Sequence, residues 1–522
     1  MPDTTTDQLV SIRRQLFTGM NTRGHGTLIS ATQGTKLLNT DLSQPGRTKK
    51  RQGYAEQFDA GDKMIQNAVR FNPYGGSDSI AIIEGTNLRH WDGTLLSGAL
   101  SVPVKDDFTT DLYTMLLVGN DKLLVSNGTD NVHSYDASWS ETDEGNTDTD
   151  PPKGIVGCYF KDRYFICQND YVYFSDVAST TFDRTANFFR VNRGDNSAGV
   201  ITSMVPFRND ELIIFKEDSV WLLQTTGNTD PLADWNLQPV QASTPDVTGY
   251  GCISKQGAVR VGDDIYYWAR DGVRTIKRNE QDKVMGIDLP ISDLIYPDYA
   301  EAINWGQAGK IRATFFRNRV IFAVPYGSST YPNYWFVYTI QLDASQNGWT
   351  VWSNMNTSTM VRFPVSGKDS LFFADGQADG KLYIAFDDDE DDNGTDIEWD
   401  FQGRIENFSD HGLEANLKWG ASLFLRFEAS ENSTVEIEVN VDEGGWTYLG
   451  SVDLNIDYPH LPIALPFDLV SASVVRAKFS LDQFDHWYNI QLRFRQTGTG
   501  MTVSLLEYIL LAKVENYEYE VY

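Results

Sequence analysis

The densest group of possible ligands is FDDDEDDNGTDIEWD, residues 386–400. Asp389, Asp391 and Asn393, followed by Gly394, match the first half of an EF-hand loop, in which alternating oxygens converge on Ca²⁺. The twelfth position is Asp400 in place of the bidentate Glu, and no helical pattern flanks the loop. Clustered carboxylates in a β-loop are more often a solvated turn, so no metal ligand is assigned. A second cluster, Arg47, Lys49, Lys50 and Arg51, has the charge to hold a phosphate or an acidic partner surface. A solvated linker would have the same composition.

Other chemistry lacks a pattern. Cys158, Cys167 and Cys252 form no C-x-x-C pair, and an odd count makes no disulfide framework. They read as small buried hydrophobes. The six histidines, His25, His90, His133, His411, His460 and His486, are too far apart for a metal-binding pair on one element. There is no G-x-S-x-G elbow, no P-loop and no G-x-G-x-x-G after a strand. GYGCIS at 249–254 reads as a β-turn. A glycosidase pair would be invisible among so many carboxylates, because sequence does not measure their separation. SQNGWTVW at 345–352 is loosely like a sialidase Asp-box, but its spacing differs and it occurs once. Trp221, Trp268, Trp335, Trp349 and Trp352 have the surface to stack sugar rings, or to fill the space between blades. No catalytic, cofactor or metal residue is therefore assigned, and the chain is expected not to be an enzyme.

Composition narrows the classes. The chain has 522 residues, 43 Lys+Arg and 72 Asp+Glu, giving a net charge of −29. That balance argues against sequence-specific duplex binding, which needs a basic face. Hydrophobic residues are 41% and aromatics 13%, enough for a large core and too many for general disorder. No apolar run reaches the ~18 residues of a membrane span, and the first residues lack a signal-peptide pattern. The expectation is a soluble chain made in a cytoplasm.

The elements that must position these residues are mostly strands. A short helical pattern runs near residues 6–17, around Leu9, Ile12 and Leu16. Elsewhere alternation of period two is broken by Gly, Asp and Asn turns, so the fold class is all-β. A paired-strand unit recurs, starting at Ile80, Leu123, Tyr164, Leu212, Ile265, Val320 and Leu371, with steps of 41 to 55 residues. A hairpin cannot bury its face alone. Units of ~40 to 50 residues packed face to face make a β-propeller, here of about seven blades. Two or three unrelated sandwiches are the competing arrangement.

After about residue 400 the repeat stops. Alternating runs at Val435, Ile437, Val439 and Val441, and at Ile490, Leu492 and Phe494, predict a C-terminal β-sandwich. The first ~70 residues are polar, with little periodicity. The expected domains are an extended N-terminal arm at 1–70, a propeller at 71–400 and a sandwich at 401–522.

Several segments resemble a known family. KKRQGYAEQF (49–58) resembles a Lys-Arg-Pro-Gly stretch near the start of tail proteins of tailed bacterial viruses, with Gln52 where proline is usual. DRYFICQNDYVYFSDVAS (162–179), ELIIFKEDSVWLLQ (211–224) and GYGCISKQGAVRVGDDIYYWARDGVRTI (249–276) resemble three later segments of those proteins. NGWTVW (347–352) and the strands around the Asp-rich turn also fit. The family is the propeller-containing hub or nozzle proteins of short-tailed phages, called tail tubular protein B or packaged-DNA stabilisation proteins. The resemblance spans roughly residues 40–400.

It implies a ring, usually of six subunits, coaxial with the portal and contacting the head-to-tail adaptor and other tail proteins. The ring would be assembled in the host cytoplasm and carried in the virion tail. Its channel would retain the packaged genome and later conduct it during ejection. An acidic lumen suits that passage, since it offers no phosphate contacts to hold the DNA. The rival from another class is a propeller glycosidase or carbohydrate-binding protein with a sandwich module. A WD-repeat scaffold is weaker, because Trp91-Asp92 occurs once and not per blade.

Overall fold

The computed structural model describes residues 8–15, 17–93, 103–110, 113–192, 199–225, 235–240, 250–277, 290–296, 300–386, 390–428, 430, 433–455, 474–496 and 503–514. Leu16, Gly249, Asp389 and His460 lie outside them. The described chain is all-β and forms a β-propeller.

Two-residue turns join the first two strands of each propeller sheet except the first, where residues 72–78 intervene. Gly119 pairs with Lys122 around Asn120 and Asp121, and Phe160 pairs with Arg163 around Lys161 and Asp162. All four turn residues have φ between 43° and 57°. Left-handed turns of this kind match the right-handed twist of the strands, which fixes the register. Beyond each turn comes an apolar strand. The seven positions that begin the repeat unit each fall in the second strand of a separate sheet. Each is fully buried.

These strands are apolar on both faces because each is packed on two neighbours. In Ser79–Glu84, Ile80 and Ile82 join the cluster shared with the sheet at 359–385, while Ala81 and Ile83 join the one shared with the sheet at 115–143. Leu212 and Ile214 face one neighbour, and Ile213 and Phe215 the other. Among the described residues, seven sheets repeat this scheme. Their first strands are Ile65–Phe71, Met115–Gly119, Val156–Phe160, Ile201–Arg208, Ala258–Val261, Arg312–Phe316 and Thr359–Val365. Each lies against the next, and the last returns to the first. Among the described residues, the ring of first strands therefore closes on itself.

The closing sheet takes a strand from the other end of the chain. Tyr54–Asp59 pairs with Lys381–Ala385, the third strand of that sheet. Gln33–Leu38 touches Gly348–Trp352 on one side and pairs with Trp399–Glu406 on the other, so a propeller sheet runs on into the C-terminal region. There Trp399–Glu406, Ile490–Gln496, Thr434–Val441 and Trp446–Asp453 form one sheet. Lys418–Glu428, Val474–Ser480 and Ser504–Val514 form another. Leu423, Leu425 and Phe427 of the second share one core with Ile437, Val439 and Phe494 of the first. The Phe427 and Phe494 rings meet edge to face at 6.2 Å.

Two expectations differ from this structure at the N-terminus. The segment read as helical is the strand Gln8–Arg14, paired antiparallel with Ser504–Val514. Val10 and Ile12 are buried, while Leu9, Ser11 and Arg13 are exposed, so the operative period is two. The waiting strand edge overrides the short 3-4 spacing. The described part of the expected arm supplies strands to the two C-terminal sheets, to the closing propeller sheet and, in Ile65–Phe71, to the first propeller sheet. The boundary expected at 70/71 falls inside Ile65–Phe71, and that at 400/401 inside Trp399–Glu406.

Candidate axial site

The two charged motifs of the sequence meet each other. Arg51 donates from Nη1 and Nη2 to the two carboxylate oxygens of Asp392 at 2.7 and 2.6 Å, and both side chains are fully buried. Its Nε donates to Asn39 Oδ1 at 2.9 Å, and Nη2 also reaches the Ser353 carbonyl. A planar fork satisfied on every side tolerates burial where a lone cation would not. Gly53 permits this approach: a Cβ there would lie 1.7 Å from the Asp391 carbonyl oxygen. Arg47 pairs with Glu428 at 2.9 Å. Burial, and then Arg51, push the Lys50 amine down to about 8.

The described carboxylates of the Asp-rich loop have separate tasks. Asp391 accepts from the Gly394 amide at 2.7 Å. Asp400 is bound by Arg493 at 2.9 and 2.6 Å and by Lys36 at 2.7 Å. No group of three potential ligands converges among the described residues.

The remaining motifs build turns and cores. In the Phe-Lys-Glu-Asp-Ser-Val-Trp hairpin, the Lys216 amide donates to the Ser219 carbonyl at 2.9 Å, and Trp221 Nε1 donates to Ser219 Oγ at 3.2 Å. Gly251 packs on that turn, where a Cβ would lie 1.8 Å from the Lys216 carbonyl oxygen. In the Tyr-Tyr-Trp segment, Trp268 lies edge-on to Phe322 and Phe336 of the next sheet. Trp221, Trp268, Trp335, Trp349 and Trp352 are all buried, so none presents a face to a sugar. The three cysteines are buried and free. Burial pushes the Cys167 and Cys252 thiols up to about 12. Of the described histidines, His90 stacks on Trp139 and His133 Nδ1 lies 2.8 Å from Glu141.

The residues that do converge were not singled out by the sequence. They stand at or near the starts of the propeller's first strands, where the ring brings distant segments together. Asn67 donates to the Thr114 carbonyl at 2.9 Å, and its Oδ1 accepts from Gln256 Nε2 at 2.9 Å. Gln256 precedes the fifth sheet and Asn67 lies in the first. These sheets are not neighbours, so their hydrogen bond crosses the ring's interior. The Tyr113 hydroxyl bonds to the same Gln256 and Asn67, and burial pushes its pKa up.

Two cations share the Tyr113 ring. Lys255 Nζ lies 4.7 Å from its centroid and the Arg312 guanidinium carbon 5.5 Å. Burial lowers the pKa of both, and Arg312 lowers that of Lys255 further. Arg312 donates to the Ser358 carbonyl at 2.9 Å and to the Ile311 carbonyl at 3.3 Å. A cavity of about 370 Å³ opens here, lined by Arg312, Lys310, Tyr113, Gln66 and Ser358, with Met64, Tyr331 and Pro332 among its walls. No single segment reveals this set. Aligning the repeats by their first strands is the signal that would have found it.

No protein-family model and no curated protein matches the chain. Among solved structures, it is similar to PorZ, a surface component of the type-IX secretion system of Porphyromonas gingivalis, at 13% identity. That match covers 65% of this chain and 38% of the other, with a TM-score of 0.37. It is also similar to the WD40 propeller domain of Doa1, at 9% identity over 64% of this chain and 96% of that one, with a TM-score of 0.39. A third similarity is to the extracellular domain of the two-component system BT4673 from B. thetaiotaomicron, at 10% identity over 64% and 39%, with a TM-score of 0.39. The chain spans about two fifths of the length of the first and third of these. The propeller assignment rests on the chain's own sheets.

Proposed function

We propose that the chain is a structural protein of a tailed bacterial virus, forming a ring in the tail below the portal and adaptor. In this reading each of the seven sheets is a blade, and the paired C-terminal sheets are a β-sandwich. The supporting observation is what the motif residues of the resemblance do. Arg51 and Gly53 clasp the Asp392 loop, Lys216 to Ser219 form the turn that Gly251 covers, and Trp268 joins two sheets. All three motifs are spent on assembling one architecture, as expected of a structural component.

The proposal places DNA outside the propeller. The Gln256–Asn67 hydrogen bond crosses its interior, so a duplex has no path along the propeller axis. A conduit is then the hole of a ring of subunits, six being the number the resemblance implies. A net charge of −29 suits a lumen that repels phosphate. Heterologous contacts that close on themselves would build such a ring. Native mass spectrometry of the purified chain tests the assembly. A discrete closed oligomer is expected, and a monomer at every concentration, alone and with its particle's portal and adaptor, contradicts it.

A further inference from the structure

We propose that the axial cavity of the propeller binds a small organic oxyanion, a phosphate or carboxylate carried on a ring or apolar body. This does not rest on the tail-ring reading.

The first ground is charge without a counter-charge. Arg312 is buried, and its described partners are the carbonyl oxygens of Ser358 and Ile311. Lys310 Nζ donates to the Thr330 carbonyl at 2.7 Å. Lys255 does not line the cavity but shares the Tyr113 ring with Arg312. Among the described residues none of the three has a carboxylate partner, in a chain where carboxylates far outnumber cations. Carbonyl dipoles and a π-face offset part of a buried positive charge, while an oxyanion offsets it fully and removes the repulsion between neighbours.

The second ground is shape. The cavity volume of about 370 Å³ exceeds what a bare oxyanion fills and falls in the range of small-molecule sites. Met64, Tyr331 and Pro332 give it apolar walls, and none of its described lining residues is acidic. Charge at one part and apolar surface at another select a molecule that has both. Lys310 is exposed, so the cavity is reached from solvent.

Isothermal titration calorimetry on the full chain tests this with four probes: phenyl phosphate, benzoate, inorganic phosphate and neutral benzyl alcohol. One aromatic anion is expected to bind once per chain, more tightly than inorganic phosphate, and more weakly as salt rises. Preference for phenyl phosphate assigns a phosphate, and preference for benzoate a carboxylate. Lys310→Gln should weaken that binding about tenfold with an unchanged melting temperature, because among the described residues its amine donates to the Thr330 carbonyl alone. Arg312→Gln should weaken it further. Lys310→Gln keeps the test decisive should the buried Arg312 variant fail to fold. Absence of heat with both aromatic anions at millimolar concentration overturns the proposal. So does equal binding of benzyl alcohol, or an affinity unchanged in Lys310→Gln.

Discussion

Arg51 and Asp392 are 341 positions apart and form a fully buried, bidentate pair. Removing one partner strands the other charge without water. Arg51→Ala should therefore cost about 3–5 kcal/mol in denaturant unfolding. The double variant Arg51→Met with Asp392→Leu should cost less than either single change, because no orphan charge remains. A second residue, Asp375, works against stability. Burial pushes its carboxyl up to about 6, while its ordinary value is 3.8. The folded state thus holds a proton that the unfolded state has lost between those pH values. This component of stability is present at low pH and is lost as pH rises to about 6. Asp375→Asn should flatten that part of the pH profile and raise the melting temperature at neutral pH. Its amide oxygen can still accept from the Gln377 amide, now at 2.8 Å. The pairing of Arg51 with Asp392 was not legible in the sequence, where the clusters read as a linker and a solvated turn. Nothing local in either records a partner so far along the chain.

Among elements, the second strands were the legible ones. Runs such as IAII, LIIF and VIFAV are apolar at every position because both faces are buried, and their spacing exposed the repeat. Strands that derive their order from a distant partner were not legible. Gln8–Arg14 alternates only over a few residues and is completed by Ser504–Val514. Tyr54–Asp59 is a polar-looking segment until it pairs with Lys381–Ala385. Two element-scale predictions separate this arrangement from a free arm. Deleting residues 1–60 should abolish a single cooperative thermal transition followed by circular dichroism, since three sheets lose strands; a free arm would leave the transition in place. Gly53→Ala should cost about 1–3 kcal/mol in denaturant unfolding, because its Cβ meets the Asp391 backbone and strand and loop must separate. An unchanged midpoint would show that the clasp yields freely.

At the scale of the whole molecule, the ring of sheets decides what the axis can do. It joins Asn67, Tyr113, Gln256 and Arg312 from four sheets into one polar cluster with a cavity beside it. The Gln256–Asn67 bond leaves a duplex no path along this axis, and the cavity beside it is the site proposed above for a small oxyanion. The chain's negative charge then bears on the outer surface, where a ring of subunits would turn one side toward DNA. In such a ring carboxylates should be concentrated on the lumen side, and an even spread would reduce the charge to solubility alone. Electron cryomicroscopy of purified particles containing this chain decides whether it forms such a ring. A hollow ring of propellers on the portal axis is expected, each propeller off that axis, with density for DNA in the central hole. Particles that carry the chain away from the portal axis, or without a closed ring, would contradict it.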